Sequence, residues 1–165
     1  MKTAKTMKSI KFFSVLVDDD ESDRHFFGEA LEEALEGLPI TADLTTVHNG
    51  EQLMQWLAER TDPLPQVIFL DLNMPRKNGF ECLSEIKQNE TFKHLPVIIF
   101  STSFDEKEMN RLYEAGAHYY IRKPNTFSEL KKLIYQALIL ATEENMKRPT
   151  IENFVLKGDL EAIRL

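Results

Sequence analysis

The chain has 165 residues, 42% of them hydrophobic, with one cysteine and a formal net charge of −7. That length accommodates one domain with a real core and a short appendage but no second catalytic domain; the acidic balance argues against direct DNA binding, which needs a basic patch to displace counterions; and the lone Cys82 excludes an internal disulfide framework. The start carries Lys2, Lys5, Lys8 and Lys11 without an apolar leader core, and no apolar run approaches a membrane span, so a soluble cytoplasmic protein with no membrane contact is expected.

From about Lys11 to Ala141 short apolar runs alternate with amphipathic segments, the pattern of βαβ units. The first strand is expected over Phe12 to Val17. After it, Phe26, Phe27, Ala30, Leu31, Ala34, Leu35 and Leu38 recur at spacings of three and four and predict a helix that buries one face. Further strands are expected over Ala42 to Val47, Gln66 to Leu70, Val97 to Phe100 and Ala117 to Ile121. The third and fourth are continuously apolar, as parallel strands covered on both sides require. Helix starts are marked by Asn49 before Gln52, Asn78 before Glu81, Asp105 before Glu108 and Thr126 before Glu129, all at capping-box spacing. Gly37, Pro39 and Gly116 fall where helices should stop. Five βα units in succession predict an α/β three-layer sandwich with right-handed crossovers.

In such a sheet the residue just past a strand's carboxyl end emerges where ligands bind. Four strands end there in complementary polar groups: Asp18 and Asp19 after the first, Asp71 after the third, Ser101 after the fourth, Lys123 after the fifth. Singly each has an ordinary reading. The triplet Asp18-Asp19-Asp20 could cap a helix, where negative charge gains about 0.3–1 kcal/mol, and Lys123-Pro124 could be a surface turn. Together they form an acidic cup with one cation and one hydroxyl, and adjacent carboxylates of this kind suit a hard divalent cation such as Mg²⁺.

These residues, with the run Asp71-Leu72-Asn73-Met74-Pro75-Arg76-Lys77-Asn78-Gly79, resemble the receiver domain of bacterial two-component response regulators, the CheY-like family. The resemblance implies a flavodoxin-like (βα)5 fold with a five-stranded parallel sheet in the order 2-1-3-4-5. It implies Asp71 as phosphoacceptor, Lys123 and Ser101 as its catalytic companions, and Mg²⁺ held by Asp18, Asp19, Asp71 and the backbone carbonyl of Asn73. It further implies Ser101 and Tyr120 as switch residues, a cis Lys123–Pro124 peptide, and output through the helix 4/strand 5/helix 5 face, where Tyr120 occupies space vacated as Ser101 moves. The expected partners are a sensor histidine kinase or phosphotransfer protein and a downstream protein target, and the protein is not expected to be an enzyme beyond its own phosphorylation and dephosphorylation. The spelling around Asp71, and Phe100-Ser101-Thr102-Ser103, is similar to single-domain receivers serving bacterial phytochromes and related kinases.

Two other classes share parts of this pattern. An aspartyl-phosphate hydrolase of the haloacid-dehalogenase kind wants Asp-x-Asp after its first strand, and a flavodoxin-like cofactor carrier wants a Gly- or hydroxyl-rich phosphate cradle there. The run Asp71-Leu72-Asn73 instead follows the third strand, and the first strand is followed by acids rather than by such a cradle. His25, His48, His94 and His118 have no metal-ligand spacing, and Phe26, Phe27 and Trp56 are expected in the core. Met74 has two readings, kinase contact or loop packing. The division expected is a tail over residues 1–10, a receiver domain over 11–142 and an extension over 143–165. The extension's apolar-rich tail, Pro149, Ile151, Phe154, Val155, Leu156, Leu160, Ile163 and Leu165, is expected to fold back on the domain, with a homodimer or partner contact as the alternative.

Overall fold

The structure is a computed structural model and describes residues 10–60, 63–74, 77–103, 105–142 and 147–158. Lys2, Lys5 and Lys8, Pro75 and Arg76 of the loop, and the chain beyond Gly158 lie outside the described residues. Five parallel strands form one sheet in the order β2-β1-β3-β4-β5. They are β1 (Ile10–Val17), β2 (Ile40–Val47), β3 (Val67–Leu70), β4 (Val97–Ser101) and β5 (Tyr119–Arg122), alternating with helices α1 (Glu21–Ala34), α2 (Gly50–Glu59), α3 (Gly79–Gln88), α4 (Glu106–Glu114) and α5 (Phe127–Thr142). Every residue of β3 and β4 is buried, which explains their unbroken apolar spelling.

Two cores lie on opposite faces of the sheet. Ile68, Leu70, Val97 and Ile99 point toward Leu53, Leu57, Leu83 and Ile86 of α2 and α3, while Val67, Phe69, Ile98 and Phe100 meet Phe27, Leu31, Ile134 and Ala137 of α1 and α5. Period-two alternation along each strand assigns neighbours to opposite cores. Phe27 is edge-on to both Phe69 and Phe100, with ring centroids 4.9 and 5.3 Å away, and each such buried side chain contributes about 2–3 kcal/mol. Phe26 departs from the expected stripe. It is 41% exposed and stacks edge-on against Phe127 at 5.1 Å, because it stands at the margin of the α1 face. Trp56 is half-buried against Phe13 and Arg60.

The helix starts follow the expected residues with different bonding. Among the described residues, only Asn78 and Glu81 complete a reciprocal capping box. Gln52 reaches past Asn49 to the His48 N–H, Asp105 accepts from Lys107 N–H, and the Glu129 side chain meets the Thr126 hydroxyl. Asp20 caps α1 by accepting from Asp23 N–H, which frees Asp18 and Asp19 for the sheet end.

Beyond α5 the chain returns to the sheet. Phe154 and Leu156 are buried, and Val155 bridges Tyr120 in parallel, with Tyr120 N–H donating to Phe154 O (3.0 Å) and Leu156 N–H to Tyr120 O (2.9 Å). The outer edge of β5 is thereby paired instead of open. Phe154 enters one core and Leu156 the other.

Candidate phosphoacceptor site

Strand register builds the site. Val17 pairs with Leu70 across β1 and β3, so the residues that follow, Asp18 and Asp71, emerge side by side. Ladder bonds continue past the strand ends: Asp18 N–H donates to Val47 O (3.1 Å), Asp71 N–H to Val17 O (2.9 Å) and Lys123 N–H to Ser101 O (2.8 Å). Each functional side chain thus stands on backbone fixed by a neighbouring strand. Gly79 closes the loop beneath Asp71, where an added Cβ would lie 2.4 Å from the Asp71 carbonyl oxygen.

Carboxylate oxygens of Asp18, Asp19 and Asp71 all lie within 4.8 Å of one another. Asp18 and Asp71 are buried and Asp19 is exposed at the mouth. An all-oxygen set with one solvent-facing member fits a small hard cation that keeps part of its water shell. Asn73 is exposed beside it, its N–H 3.4 Å from Asp71 Oδ1.

Lys123 Nζ bonds Asp18 Oδ2 at 2.9 Å and Asp23 Oδ2 at 2.8 Å, and lies 3.8 Å from Asp71 Oδ1. Asp23 was not anticipated from the sequence. Its signal was position: the third residue of α1, one turn beyond the cap, faces the sheet end. Arg24, also unanticipated, donates to the Asp18 carbonyl at 2.9 Å.

The acids are unequally compensated. Asp18 Oδ1 accepts from Asp20 N–H at 3.0 Å and Oδ2 from Lys123, so both its oxygens are engaged. Asp71 Oδ2 accepts no hydrogen bond from the described residues. Burial raises the Asp71 pKa from 3.8 to about 6, the distant Lys123 opposing and the Asp18 charge reinforcing the rise. Burial also raises Asp18, against the pull of Asp20 N–H and Lys123. For Lys123, burial disfavours the ammonium, but hydrogen bonds to Asp23 and Asp18 outweigh it and the pKa is raised. Asp71 is therefore the buried, poorly neutralised carboxylate of the cluster.

Ser101 is buried, and its Oγ accepts from Ser103 N–H at 3.2 Å. Tyr120 is fully buried, its hydroxyl donating to Ser103 O and its ring 6.2 Å from that of Phe154. Phe154 shares the core in which the Tyr120 ring lies, while Leu156 meets Tyr120 through the backbone. The Lys123–Pro124 peptide is trans, not cis; trans is the favoured X-Pro isomer by about 0.5–1 kcal/mol, and the lysine reaches the acids from it. Met74 packs in the core, which favours loop packing over kinase contact. Cys82 is buried, its thiol pushed up to about 12 by burial.

A parallel 2-1-3-4-5 sheet with three acids, a lysine and a buried hydroxyl at its carboxyl end defines a CheY-like, flavodoxin-like fold. The sequence profile of the response regulator receiver domain matches residues 15–135, and the chain belongs to that family. It is 32% identical over 124 residues to response regulator Rcp1 of Synechocystis, covering 73% of this chain and 82% of the relative. Among solved structures it is similar to the phosphorylated cyanobacterial phytochrome response regulator RcpA (TM-score 0.68, 32% identity, covering 77% of this chain and 91% of that one). It is also similar to the Mn²⁺-bound form of Rcp1 (TM-score 0.67, 29% identity, covering 84% and 99%). No helix among the described residues is long and apolar enough to cross a membrane.

Proposed function

We propose that Asp71 accepts a phosphoryl group from the phosphohistidine of a sensor kinase or phosphotransfer protein, in a single-domain cytoplasmic response regulator whose receiver spans 11–142. The observation that carries this is the placement of Asp71: buried, with one oxygen uncommitted among the described residues, within 4.8 Å of two further acids and 3.8 Å from Lys123. Asp18, Asp19, Asp71 and the Asn73 carbonyl would hold Mg²⁺. Bound there, the cation neutralises charge between the acids and the incoming phosphoryl oxygens, the main requirement of phosphoryl transfer. That the similar Rcp1 has a Mn²⁺-bound form supports divalent-cation binding by this chain.

In the transfer an Asp71 carboxylate oxygen forms the new O–P bond as the P–N bond to histidine breaks, and the imidazole departs with the electron pair. Lys123 divides its ammonium among Asp18, Asp23 and Asp71, and so can turn toward the added phosphoryl charge without travelling. Ser101 would exchange its acceptance from Ser103 N–H for donation to a phosphoryl oxygen. That exchange loosens the Ser103 segment, whose carbonyl holds the Tyr120 hydroxyl. Output therefore runs through Tyr120 to the α4/β5/α5 face and to the Phe154–Leu156 segment paired with it.

Purified protein incubated with acetyl phosphate and Mg²⁺ should acquire one hydroxylamine-sensitive phosphate, and Asp71→Asn should not. Undiminished labelling of that variant would remove Asp71 from the role. Chelation of the divalent ion should suppress labelling of the unaltered protein.

A further inference from the structure

We propose that the amino end of the sheet carries a second site, for a small multivalent phosphate-type oxyanion, built jointly by the receiver core and the C-terminal segment with Lys87, His118 and Arg148 as donors. A cleft of about 590 Å³ opens beside Gln66, Pro96 and Gly116, residues that precede β3, β4 and β5, at the end of the sheet opposite Asp71. Five basic side chains line it, Lys87, Lys93, His94, His118 and Arg148, and no acidic one among the described residues does. In a chain with 27 acidic and 20 basic residues this lining runs against the overall composition.

The bonding of these groups leaves room for a ligand. Lys87 Nζ donates to the carbonyls of Lys93 (3.1 Å) and Leu95 (2.7 Å), so one of its three protons is uncommitted. Arg148 donates through Nε to Ala117 O (3.3 Å) and through Nη2 to Tyr113 O, leaving further N–H groups of its fork. Neither cation has a carboxylate within 4.0 Å among the described residues. His118 is buried, its Nδ1 facing the Val97 N–H at 3.5 Å, so the other ring nitrogen is left to donate. Lys87 is half-buried without a countercharge among the described residues, which is costly, whereas Arg148 is exposed at the mouth of the cleft. Burial lowers the Lys87 pKa to about 8, with Arg148 adding to the effect. It lowers His118 to about 4, with Lys87 and Arg148 adding. A multivalent anion offsets several of these costs at once, and the guanidinium fork matches phosphate oxygens. Arg148 stands just ahead of the Phe154–Leu156 segment, so an occupant bridging Lys87 and Arg148 would fasten that segment to the core, independently of any chemistry at Asp71.

The test is an amide ¹H–¹⁵N titration of the full chain with inorganic pyrophosphate in Mg²⁺-free buffer, against potassium chloride at equal ionic strength. Saturable shifts centred on Lys87, Gly116, His118 and Arg148 are expected. Lys87→Met and Arg148→Gln should each weaken the affinity about tenfold or more, while Lys131→Met leaves it unchanged. Both variants are made because one could unseat its loop, and thermal unfolding verifies that each is folded. Shifts no larger than those with chloride, saturation centred on Arg122, Lys123 and Lys157, or unchanged affinity in a folded variant would each overturn the site.

Discussion

Replacing Asp71 by Asn should make the protein more stable, because the position has been built for a charge the isolated domain cannot fully neutralise. Burial takes the Asp71 pKa from 3.8 to about 6. At about 1.4 kcal/mol per pH unit, the ionised form carries up to about 3 kcal/mol of destabilisation at neutral pH. Asn has the same shape and no charge. The direction follows from proton binding: between about pH 4 and 6 the native state holds the Asp71 proton more tightly than the unfolded chain, so its contribution is present at low pH and lost as pH rises through 6. The gap between Asp71→Asn and the parent should thus be near zero at pH 4, widen to pH 6 and stay constant above it. Denaturant unfolding without divalent ions measures this directly, and in thermal unfolding the full gap corresponds to about 5–10 °C. Mg²⁺ should stabilise the parent and narrow the gap, since a ligand of the ionised native state shifts folding by mass action. A variant no more stable than the parent at pH 7.5, or a gap independent of pH, would refute the reasoning.

Three further outcomes follow from other parts of the molecule. His118, held neutral by burial with a pKa near 4, favours the fold above pH 6.5 and loses up to about 3 kcal/mol as pH falls toward 4; His118→Gln should flatten that acid limb in denaturant melts at pH 4, 5.5 and 7. Gly79→Ala should cost about 3 kcal/mol by overpacking, because the new Cβ meets backbone at Asp71 and Leu72 at 2.4 and 2.7 Å; unfolding together with acetyl phosphate labelling would register both the lost stability and a displaced acceptor. Phe154→Ala should cost about 3–5 kcal/mol and speed hydrogen exchange at the Tyr120 and Leu156 amides; unchanged exchange at those two would mean the edge pairing does not depend on the buried ring.

Much of the arrangement is written locally in the chain. The apolar runs Val67 to Leu70 and Val97 to Phe100 specify buried parallel strands because nothing in them tolerates water, and polar Asp71 and Ser101 then mark where each strand leaves the sheet. Asn78 and Glu81 name a helix start outright, since their bonds span only three residues. From these signals the parallel sheet, the acidic cup and the lysine could be anticipated together, while the strand order came only with the family resemblance.

Quantities that depend on contacts between distant segments could not. Asp23 joins the site only because α1 leaves Asp20 at an angle that brings it within 2.8 Å of Lys123, 100 residues away. Phe26 and Phe27 are identical in type, and packing alone sends one to solvent and the other to the core. The packing of Phe154 in the core that holds Tyr120, and the convergence of Lys87, His118 and Arg148, were set by where the chain returns after α5, which no periodicity encodes. Sequence fixes the alternation of elements through short-range hydrogen bonding and apolar spacing. Which carboxylate keeps a free oxygen, and which cation lacks a countercharge, is decided by desolvation and distance in the folded molecule.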